Sequence, residues 1–277
     1  MALLNSFTSG VSAVKTFGKS LEVIGDNIAN VNTTGFKGAR TTNKDSYNFT
    51  MEHSTGGVAG AGGTASPSSM QVGSGVAVAS IAQQFTQGVL STTGGPTDLG
   101  IAGKGFFKVA DGANAGAFLY TRAGDFQLDS IGNLVTSQGY KVQGDAGDIV
   151  INPTNGGNEL QSFAIGIDGK IQAYYSGGTR SVPKGQILLT TFANPNALEK
   201  VGGNLLKSPG DAAGATDATA ATATQFGEIK QGTLELSNVD LTQQFSDLIL
   251  AQRAFQAGSR IITVSDSVME EIVNLKR

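Results

Sequence analysis

The chain has 277 residues, of which 39 are glycine and none is cysteine or tryptophan. Charged residues make up 15% of it and the formal net charge is −3, so it has no basic surplus of the kind that nucleic-acid binding needs. Without cysteine, a disulfide, a thiolate nucleophile or a cysteine-based metal site is excluded. The one histidine, His53, lies in a glycine-rich run that would not hold a catalytic base rigidly. We therefore predict a protein that is not an enzyme and that has no cofactor, metal site, nucleic-acid partner or small-molecule substrate.

The N-terminal segment has the apolar pattern of a long helix. Apolar and small residues recur at alternating spacings of three and four, which is typical of one seam on an amphipathic or coiled-coil helix. The seam consists of Leu4, Phe7, Val11, Val14, Gly18, Leu21, Gly25 and Ile28. Because glycine weakens a helix, its presence on the seam indicates close packing against a partner helix. We predict that residues 1–37 form the N-terminal helix of a helical domain.

Basic residues slightly outnumber acidic residues at this end of the chain. They are Lys15, Lys19, Lys37, Arg40 and Lys44. With no tryptophan and few lysines, the pattern predicts a solvated helix face rather than a membrane-surface helix. No apolar run is long enough for a membrane span or a secretory signal, so we expect no cleavable signal peptide.

The C-terminal segment repeats the helical pattern over residues 237–277. Leu241, Leu248, Phe255, Ile262 and Met269 are spaced seven apart, and Phe245 occupies the neighbouring seam position. Small residues at sevens lie beside this stripe, and either Asn238 or Asp240 is suited to cap the helix. We predict that the two terminal helices pair with each other or pack into a larger helical array. The alternative is that each helix covers a globular core.

The middle of the chain has the pattern of short antiparallel strands separated by turns. The strongest runs are Val76–Thr86, Gly105–Val109, Ala117–Arg122, Asp125–Asp129, Asn133–Ser137, Ser162–Ile167, Lys170–Tyr175 and Gln186–Phe192. We predict a β-rich domain over residues 73–207, resembling a sandwich or barrel, and an α+β fold for the whole chain. Residues 38–72 and 208–236 are predicted as flexible linkers, because much of each is rich in glycine, alanine, serine and threonine.

Several motifs suggest chemistry but lack its full pattern. The run 103–107 (GKGFF) is not a phosphate-binding loop, because aromatic residues and a strand follow it. Asp125, Asp129, Asp145 and Asp148 lie near turns, where aspartate commonly caps the local backbone, and they lack the spacing of a calcium loop. The antiparallel middle also leaves open a carbohydrate- or surface-binding module on a helical stalk, although the sequence has few aromatic residues for such a site.

Four blocks of the sequence resemble the bacterial flagellar hook and rod proteins. They are 21–40 (LEVIGDNIANVNTTGFKGAR), 98–109 (DLGIAGKGFFKV), 120–144 and 237–277, and they occur in the order of that family. Within the first and last blocks, the residues that match the family motif are Asn27, Asn30, Gly35, Phe36 and Asn238. The opening and the end of the last block (NVDLTQQF and VNLKR) most resemble the hook protein, while the short middle domain also suits the distal rod protein.

The resemblance implies a structural subunit that assembles into a hollow helical tube. We expect a flexible hook that transmits torque from rod to filament, with a rigid distal rod as the alternative. It also implies contacts with copies of the chain, with other rod proteins, and with hook cap and hook–filament junction proteins. The implied location is the flagellum, either the extracellular hook or the periplasm-spanning basal body, reached through the type III export apparatus. The predicted self-assembly interface comprises Leu4, Phe7, Val11, Val14, Leu21, Ile28, Leu241, Phe245, Leu248, Phe255, Ile262 and Met269.

Overall fold

The chain divides into two compact units. The computed structural model describes residues 2–52, 69–110, 118–145, 147–155, 158–210, 214–219 and 226–275. Unit 1 is assembled from Met1–Ile28, Ala39–Ala82 and Asp240–Arg277, and unit 2 from Ala29–Gly38 and Gln83–Val239. Each unit therefore draws on segments from both halves of the sequence.

Unit 1 contains two long helices, α1 (Ala2–Ala29) and α2 (Leu241–Leu275). They are antiparallel, because the start of α1 contacts the end of α2: the hydroxyl oxygens of Ser6 and Ser265 lie 3.4 Å apart. At the other end, Asn27 Nδ2 donates to Gln244 Oε1 at 3.0 Å. These contacts confirm the predicted α+β class with paired terminal helices.

Local chemistry sets the helix ends. α1 ends at Ala29, before the predicted boundary at residue 37, because asparagine and β-branched residues follow and Gly35 adopts a φ of 66°. α2 begins at Leu241, and Asp240 is its cap: the amide of Thr242 donates to Asp240 Oδ1 at 2.8 Å.

Unit 1 also contains two short β-ribbons. The first pairs β1 (Ala39–Asp45) with β4 (Val76–Gln83), and the second pairs β2 (Asn48–Glu52) antiparallel with β3 (Met70–Gly73). β1, β2 and β3 fall within the segment predicted as a flexible linker. They lacked a sequence signal because most of their described side chains are exposed, so no apolar alternation marks them. Residues 53–68, which include His53, lie outside the described residues.

α1 contacts the first ribbon through hydroxyl groups. Thr16 Oγ1 donates to the carbonyl of Val76 at 3.2 Å, and Ser12 Oγ accepts from the amide of Val76 at 3.3 Å. The hydroxyl oxygens of Ser20 and Thr41 lie 3.1 Å apart. The ribbon therefore lies on a polar stripe of α1 (Ser12, Thr16 and Ser20), which the sequence analysis did not identify.

Unit 2 is built from short strands. They are β5 (Leu90–Thr92), β6 (Leu99–Ala102), β7 (Phe106–Ala110), β8 (Phe118–Thr121), β9 (Phe126–Leu128), β10 (Leu134–Thr136), β11 (Lys141–Gly144), β12 (Gly147–Asp148), β13 (Thr154–Asn155), β14 (Asn158–Ile165), β15 (Lys170–Tyr175), β16 (Gly178–Gln186), β17 (Leu188–Phe192), β18 (Glu199–Gly202), β19 (Leu205–Lys207), β20 (Ala215–Thr219), β21 (Glu228–Gln231) and β22 (Thr233–Glu235). A 3₁₀ turn, Pro195–Ala197, precedes β18.

The strands of unit 2 form antiparallel sheets. The largest has the order β18-β19-β8-β7-β11-β10-β9, with β12 added on β11 and β17 joining β7 to β20. A second sheet has the order β13-β14-β15-β16, and the pairs β6–β21 and β5–β22 complete the unit. β20 lies in the other segment predicted as a linker, and it is paired along its whole length with β17.

The core of unit 2 lies between these strands. Its fully buried members include Leu99, Phe107, Phe126, Leu134 and Ile229. A smaller cluster contains Phe106, Tyr120 and Phe192, whose rings meet edge to face. Burial of this apolar surface is the main stabilising contribution to the unit.

Candidate assembly interface

The centre of the α1–α2 contact is made by small residues. Ala251, Gly258 and Ser265, spaced seven apart, are the buried residues of α2. A Cβ atom added at Gly258 would lie 3.2 Å from Val14 Cγ2 and 3.4 Å from Ala13 Cβ, closer than ordinary packing allows. The helices therefore approach closely at this point, and even an added methyl group would require Val14 to shift.

Glycine on α1 contributes to the same close approach, although not at the predicted positions. A Cβ added at Gly10 would lie 3.1 Å from Ile262 Cγ1. A Cβ added at Gly18 would make only an ordinary contact with Phe255, at 3.8 Å, and nothing lies within 4 Å of a Cβ at Gly25. Within the single chain, Gly25 faces open space and makes no close helix contact, and Gly10 makes that contact instead. Close packing of Gly25 against another subunit stays a prediction.

The predicted apolar seams flank this small-residue contact. On α1, Val11, Val14, Leu21 and Ile28 are half-buried and Phe7 is exposed; the side chain of Leu4 lies outside the described part. On α2, Leu248, Phe255 and Ile262 are half-buried, while Leu241, Phe245 and Met269 are exposed. The pairing of the helices therefore leaves much of each seam accessible, and the role of these residues in self-assembly stays a prediction.

Further large apolar side chains are exposed on α2, beyond the predicted seam. They include Ile249, Leu250, Ile261, Val264 and Ile272, with Leu250 66% and Val264 61% accessible. Isolated exposed apolar residues are common, but so many on one helix make this face of α2 a candidate contact surface. These residues were not predicted as an interface, because they lie outside the seven-residue repeat that defines the seam.

Asn27 joins three elements of unit 1. Its Oδ1 accepts from the amide of Ala39 at 2.9 Å, and its Nδ2 donates to the carbonyl of Ala39 at 2.8 Å as well as to Gln244. The side chain is 3% exposed. It therefore pairs with Ala39 as a neighbouring strand would, and it holds the start of β1 against α1 and α2.

The other motif residues lie in unit 2 and organise its first segment, residues 29–38. Asn30 closes a turn by accepting the hydroxyl of Thr33 at 3.2 Å, and Phe36 is buried with the ammonium of Lys200 above its ring. Gly35 donates to the carbonyl of Glu235 at 2.7 Å. A Cβ at Gly35 would overlap the backbone of Arg122 and Ala123, so only glycine fits.

Asn238 ties the other end of unit 2 to the same segment. Its Oδ1 accepts from the amide of Gly38 at 2.9 Å, and its Nδ2 donates to the carbonyl of Gln84 at 2.7 Å and to Thr86 Oγ1 at 2.8 Å. Asn238 is therefore not the helix cap that its position suggested, since its side chain is fully occupied within unit 2.

A buried ionic cluster, which we call the Glu235 cluster, consists of Lys37, Arg122 and Glu235. Glu235 Oε1 lies 2.6 Å from Lys37 Nζ, and Glu235 Oε2 lies 3.1 Å from Arg122 Nη1. The side chains are 5%, 7% and 0% exposed for Lys37, Arg122 and Glu235, respectively. Burial lowers the pKa of both Lys37 and Arg122, and the charge of Glu235 opposes this effect in each case.

The Glu235 cluster corrects one sequence prediction and was itself missed. Lys37 does not lie on a solvated helix face; its ammonium also donates to the carbonyl of Thr86 at 2.8 Å inside unit 2. The reason is that α1 has already ended, so Lys37 belongs to a segment that enters the β unit. No local pattern could reveal a pair whose members are 198 positions apart in sequence.

Among the turn aspartates, Asp129 caps the local backbone as the sequence suggests, whereas Asp148 and Asp125 have other surroundings. Asp129 Oδ1 accepts from the amide of Ser130 at 2.7 Å, and Asp148 pairs with Lys141 at 3.2 Å. Asp125 is half-buried; burial raises its pKa, repulsion from Asp98 adds to the rise, and a hydrogen bond from Thr34 partly opposes it.

Within the described residues, histidine and acidic side chains form no group suited to hold a metal, and no helix has the length and apolarity of a membrane span.

Comparison with known proteins matches three parts of the chain to family models. Residues 7–37 match the flagella basal body rod protein model, residues 100–173 the flagellar hook protein FlgE/F/G D1 domain, and residues 230–275 the C-terminal model of the basal body rod FlgEFG proteins. The matched segments cover most of α1, strands β7 to β15 and nearly all of α2.

Curated relatives align over the whole chain. The flagellar basal-body rod protein FlgG of Bacillus subtilis is 42% identical over 99% of this chain and 100% of its own length. FlgG of Borreliella burgdorferi is 34% identical over 100% of this chain and 99% of its own length. The flagellar hook protein FlgE of Borreliella burgdorferi is 24% identical over 99% of this chain and 100% of its own length. The chain therefore belongs to the bacterial flagellar hook and basal-body rod family, which is a family of structural proteins and not of enzymes.

Proposed function

We propose that this chain is a subunit of the distal flagellar rod, the rigid shaft of the basal body, and that it assembles with copies of itself. The observation that carries the proposal is a comparison within one organism. The rod protein FlgG of Borreliella burgdorferi is 34% identical over an alignment of 277 residues, whereas its hook protein FlgE is 24% identical over an alignment of 450. The relatives thus favour the alternative of the sequence analysis over the hook that it predicted first.

The length of the alignment gives this preference a physical meaning. An alignment of 450 residues with a chain of 277 requires the hook protein to carry long insertions that have no counterpart here. The hook-like letters at the two ends of the last block, NVDLTQQF and VNLKR, cover only a small part of the chain. They therefore weigh less than the whole-length match to the rod proteins.

The described surfaces support an assembly role. The exposed apolar side chains of α2 suit burial against helices of neighbouring subunits, and the small residues at its centre keep the α1–α2 pair narrow. In this proposal the chain lies in the periplasm-spanning basal body, contacts other rod proteins and the hook at its ends, and arrives through the type III export apparatus. The hook cap and hook–filament junction proteins would be its partners only if it formed the hook.

Immunogold electron microscopy of isolated hook–basal bodies tests the proposal. An antibody raised against unit 2 is applied to particles from the bacterium that encodes the chain, and particles from a strain lacking its gene are the control. We expect gold on the straight rod below the hook, and particles from the deletion strain that lack this part of the rod. Label along the curved hook would show that the chain is a hook subunit and would refute the rod assignment.

A further inference from the structure

The Glu235 cluster lies where the two ends of unit 2 meet. Residues 29–38 enter the unit first in sequence, and β22, which carries Glu235, is its last strand. Two bonds join them directly: Gly35 N to the Glu235 carbonyl at 2.7 Å, and Lys37 Nζ to Glu235 Oε1 at 2.6 Å. The remaining bonds lead to the body of the unit, since the amide of Gly88 donates to Glu235 Oε1 at 2.8 Å.

We propose that the Glu235 cluster is a latch that allows residues 29–38 to bind unit 2 only after Glu235 has arrived from the far end of the chain. The inference concerns the order of folding and does not depend on whether the assembled protein is rod or hook. In this inference Glu235 controls when a segment far from it in sequence binds unit 2.

The charges of the cluster are the reason for this order. Docking of residues 29–38 brings the ammonium of Lys37 into the buried region that already contains the guanidinium of Arg122. Among the described residues, no carboxylate other than Glu235 forms an ion pair with either cation. Without Glu235, two like charges would be buried together, which is strongly unfavourable.

Neutral groups in the cluster cannot replace the carboxylate. Lys37 Nζ donates to the carbonyl of Thr86 and Arg122 Nη2 to the carbonyl of Gly103, and both bonds are present alongside the ion pairs. Arg122 Nε is buried with no hydrogen-bond partner in the described part of the chain. The neutral polar groups around Lys37 and Arg122 therefore do not pair with every donor of the two cations. Burial of these cations thus requires the negative charge of Glu235.

Glu235 reaches the cluster when β22, the last strand of unit 2, pairs with its neighbouring strand. β22 pairs with β5, placing Glu235 opposite Leu90, and the amide of Leu236 donates to the carbonyl of Val89 at 2.9 Å. A chain that emerges from its N-terminus onward therefore cannot complete unit 2 until residue 235 is available. The segment with the family motif residues Asn30, Gly35 and Phe36 stays undocked until then.

Native-state hydrogen exchange on the full chain tests the latch. Glu235→Gln keeps the shape of the side chain and removes its charge, so we expect exchange at the amide of Gly35 to accelerate by about 100-fold or more. Adding Lys37→Met removes one of the two buried cations that Glu235→Gln leaves unpaired. Exchange at the amide of Gly35 should therefore be at least about tenfold slower in the double variant than in Glu235→Gln. The matched control, Asp168→Asn, breaks the exposed pair with Lys170 and should leave exchange at Gly35 unchanged.

The direction in which Lys37→Met changes exchange at Gly35 distinguishes the latch from a simple loss of contacts. If the double variant exchanges as fast as Glu235→Gln or faster, or if Glu235→Gln alone has no effect, the proposal is wrong. Should Glu235→Gln fail to fold, pulse-labelled refolding of the unsubstituted chain decides. The readout is the amide of Gln84, which donates to the carbonyl of Gly38 at 2.8 Å and does not bond to Glu235. Protection of Gln84 no earlier than that of Leu236 supports the latch, and earlier protection of Gln84 overturns it.

Discussion

Single polar side chains hold the non-helical segments of this protein in place. Asn27 uses both its donor and its acceptor on the backbone of Ala39, and Asn238 does the same between Gly38 and Gln84. An apolar side chain of equal size would leave those backbone groups unpaired, at a cost of about 1–3 kcal/mol for each buried group. These residues thus specify where the chain turns, while the apolar residues supply most of the stability.

Gly35 is predicted to tolerate no side chain. Gly35→Ala adds a Cβ that overlaps the backbone of Arg122 and Ala123, and it also imposes a φ of 66° on a residue other than glycine. We expect the free energy of unfolding to fall by several kcal/mol, well beyond the cost of about 1–2 kcal/mol for the backbone conformation alone. Urea unfolding followed by circular dichroism measures the change.

Gly94 is the matched control for this substitution. It has a similar φ of 75°, but nothing lies within 4 Å of an added Cβ, so Gly94→Ala should show the conformational cost alone. Equal losses at the two positions would mean that the close approach at Gly35 has no energetic weight.

Asp125 is predicted to make stability depend on pH in the acidic range. Because its pKa in the folded state is raised above 3.8, the folded chain binds a proton that the unfolded chain has already lost. Stability should therefore increase as the pH falls from neutral through the raised pKa towards 3.8. Asp125→Asn should raise the urea midpoint at pH 7 and flatten this part of the profile relative to the unsubstituted chain. A variant with the same slope as the parent would contradict the assignment.

At this scale the sequence identified some residues of the site and could not identify others. Asn27, Gly35 and Asn238 were found because family motifs mark them, although Asn238 was also offered as a cap. Arg122 and Glu235 were not predicted as site residues, and Lys37 was predicted to lie on a solvated helix face. Their importance arises from burial and from partners far away in sequence, which periodicity and composition do not encode.

At the scale of elements, the helices were predictable and their contact was not. The three–four spacing predicts two amphipathic helices, and the structure contains both. The sequence analysis predicted that the apolar stripe makes the contact between α1 and α2. In the structure the small residues beside the stripe lie at the centre of that contact, and the apolar residues lie at its edge. Both stripes repeat every seven residues, so the pattern gives the faces of a helix without saying which face meets the partner.

Gly258 and Gly25 are predicted to respond in opposite directions to substitution. Gly258→Leu must separate α1 from α2, because even a Cβ there would lie 3.2 Å from Val14, and we expect a loss of at least about 2 kcal/mol. Gly25→Ala places a methyl group in open space on α1 and should stabilise the helix by up to about 1 kcal/mol. Thermal unfolding of the purified chain measures both effects. Destabilisation by Gly25→Ala would show that this position is in close contact after all.

Strands were predictable where one face is buried. β7, β15 and β17 combine apolar runs with clear burial, and each was expected from the sequence. β1 and β18 are largely or wholly exposed, and neither was expected. A strand that buries few of its side chains leaves little trace in the order of its residues.

At the scale of the whole molecule, the exposed face of α2 is predicted to determine assembly. Ile249→Asp or Val264→Asp places a charge on a surface that is open in the single chain, so folding should be unaffected. Burial of that charge between subunits would be unfavourable, and we expect the variants to remain monomeric under conditions in which the parent chain forms tubes. Sedimentation and negative-stain microscopy provide the measurement.

A polar exposed position on the same helix controls for the added charge. Gln256→Asp changes the net charge of the chain by the same amount and should still allow tubes to form. Normal assembly by both apolar-site variants would show that this face of α2 is not part of the subunit contact. Leu248→Asp and Phe255→Asp are less discriminating, because both residues are half-buried and Phe255 also contacts α1 beside Gly18.

The contact between Ser6 and Ser265 offers a reversible chemical staple. Their hydroxyl oxygens lie 3.4 Å apart across the two helices, and the chain contains no cysteine that could compete for oxidation. Replacing both serines by cysteine would place two thiols within reach of one disulfide, closing a covalent ring through α1 and α2. Oxidation before or after polymerisation would then show whether the helices keep the same partner in the tube as they have in the free subunit.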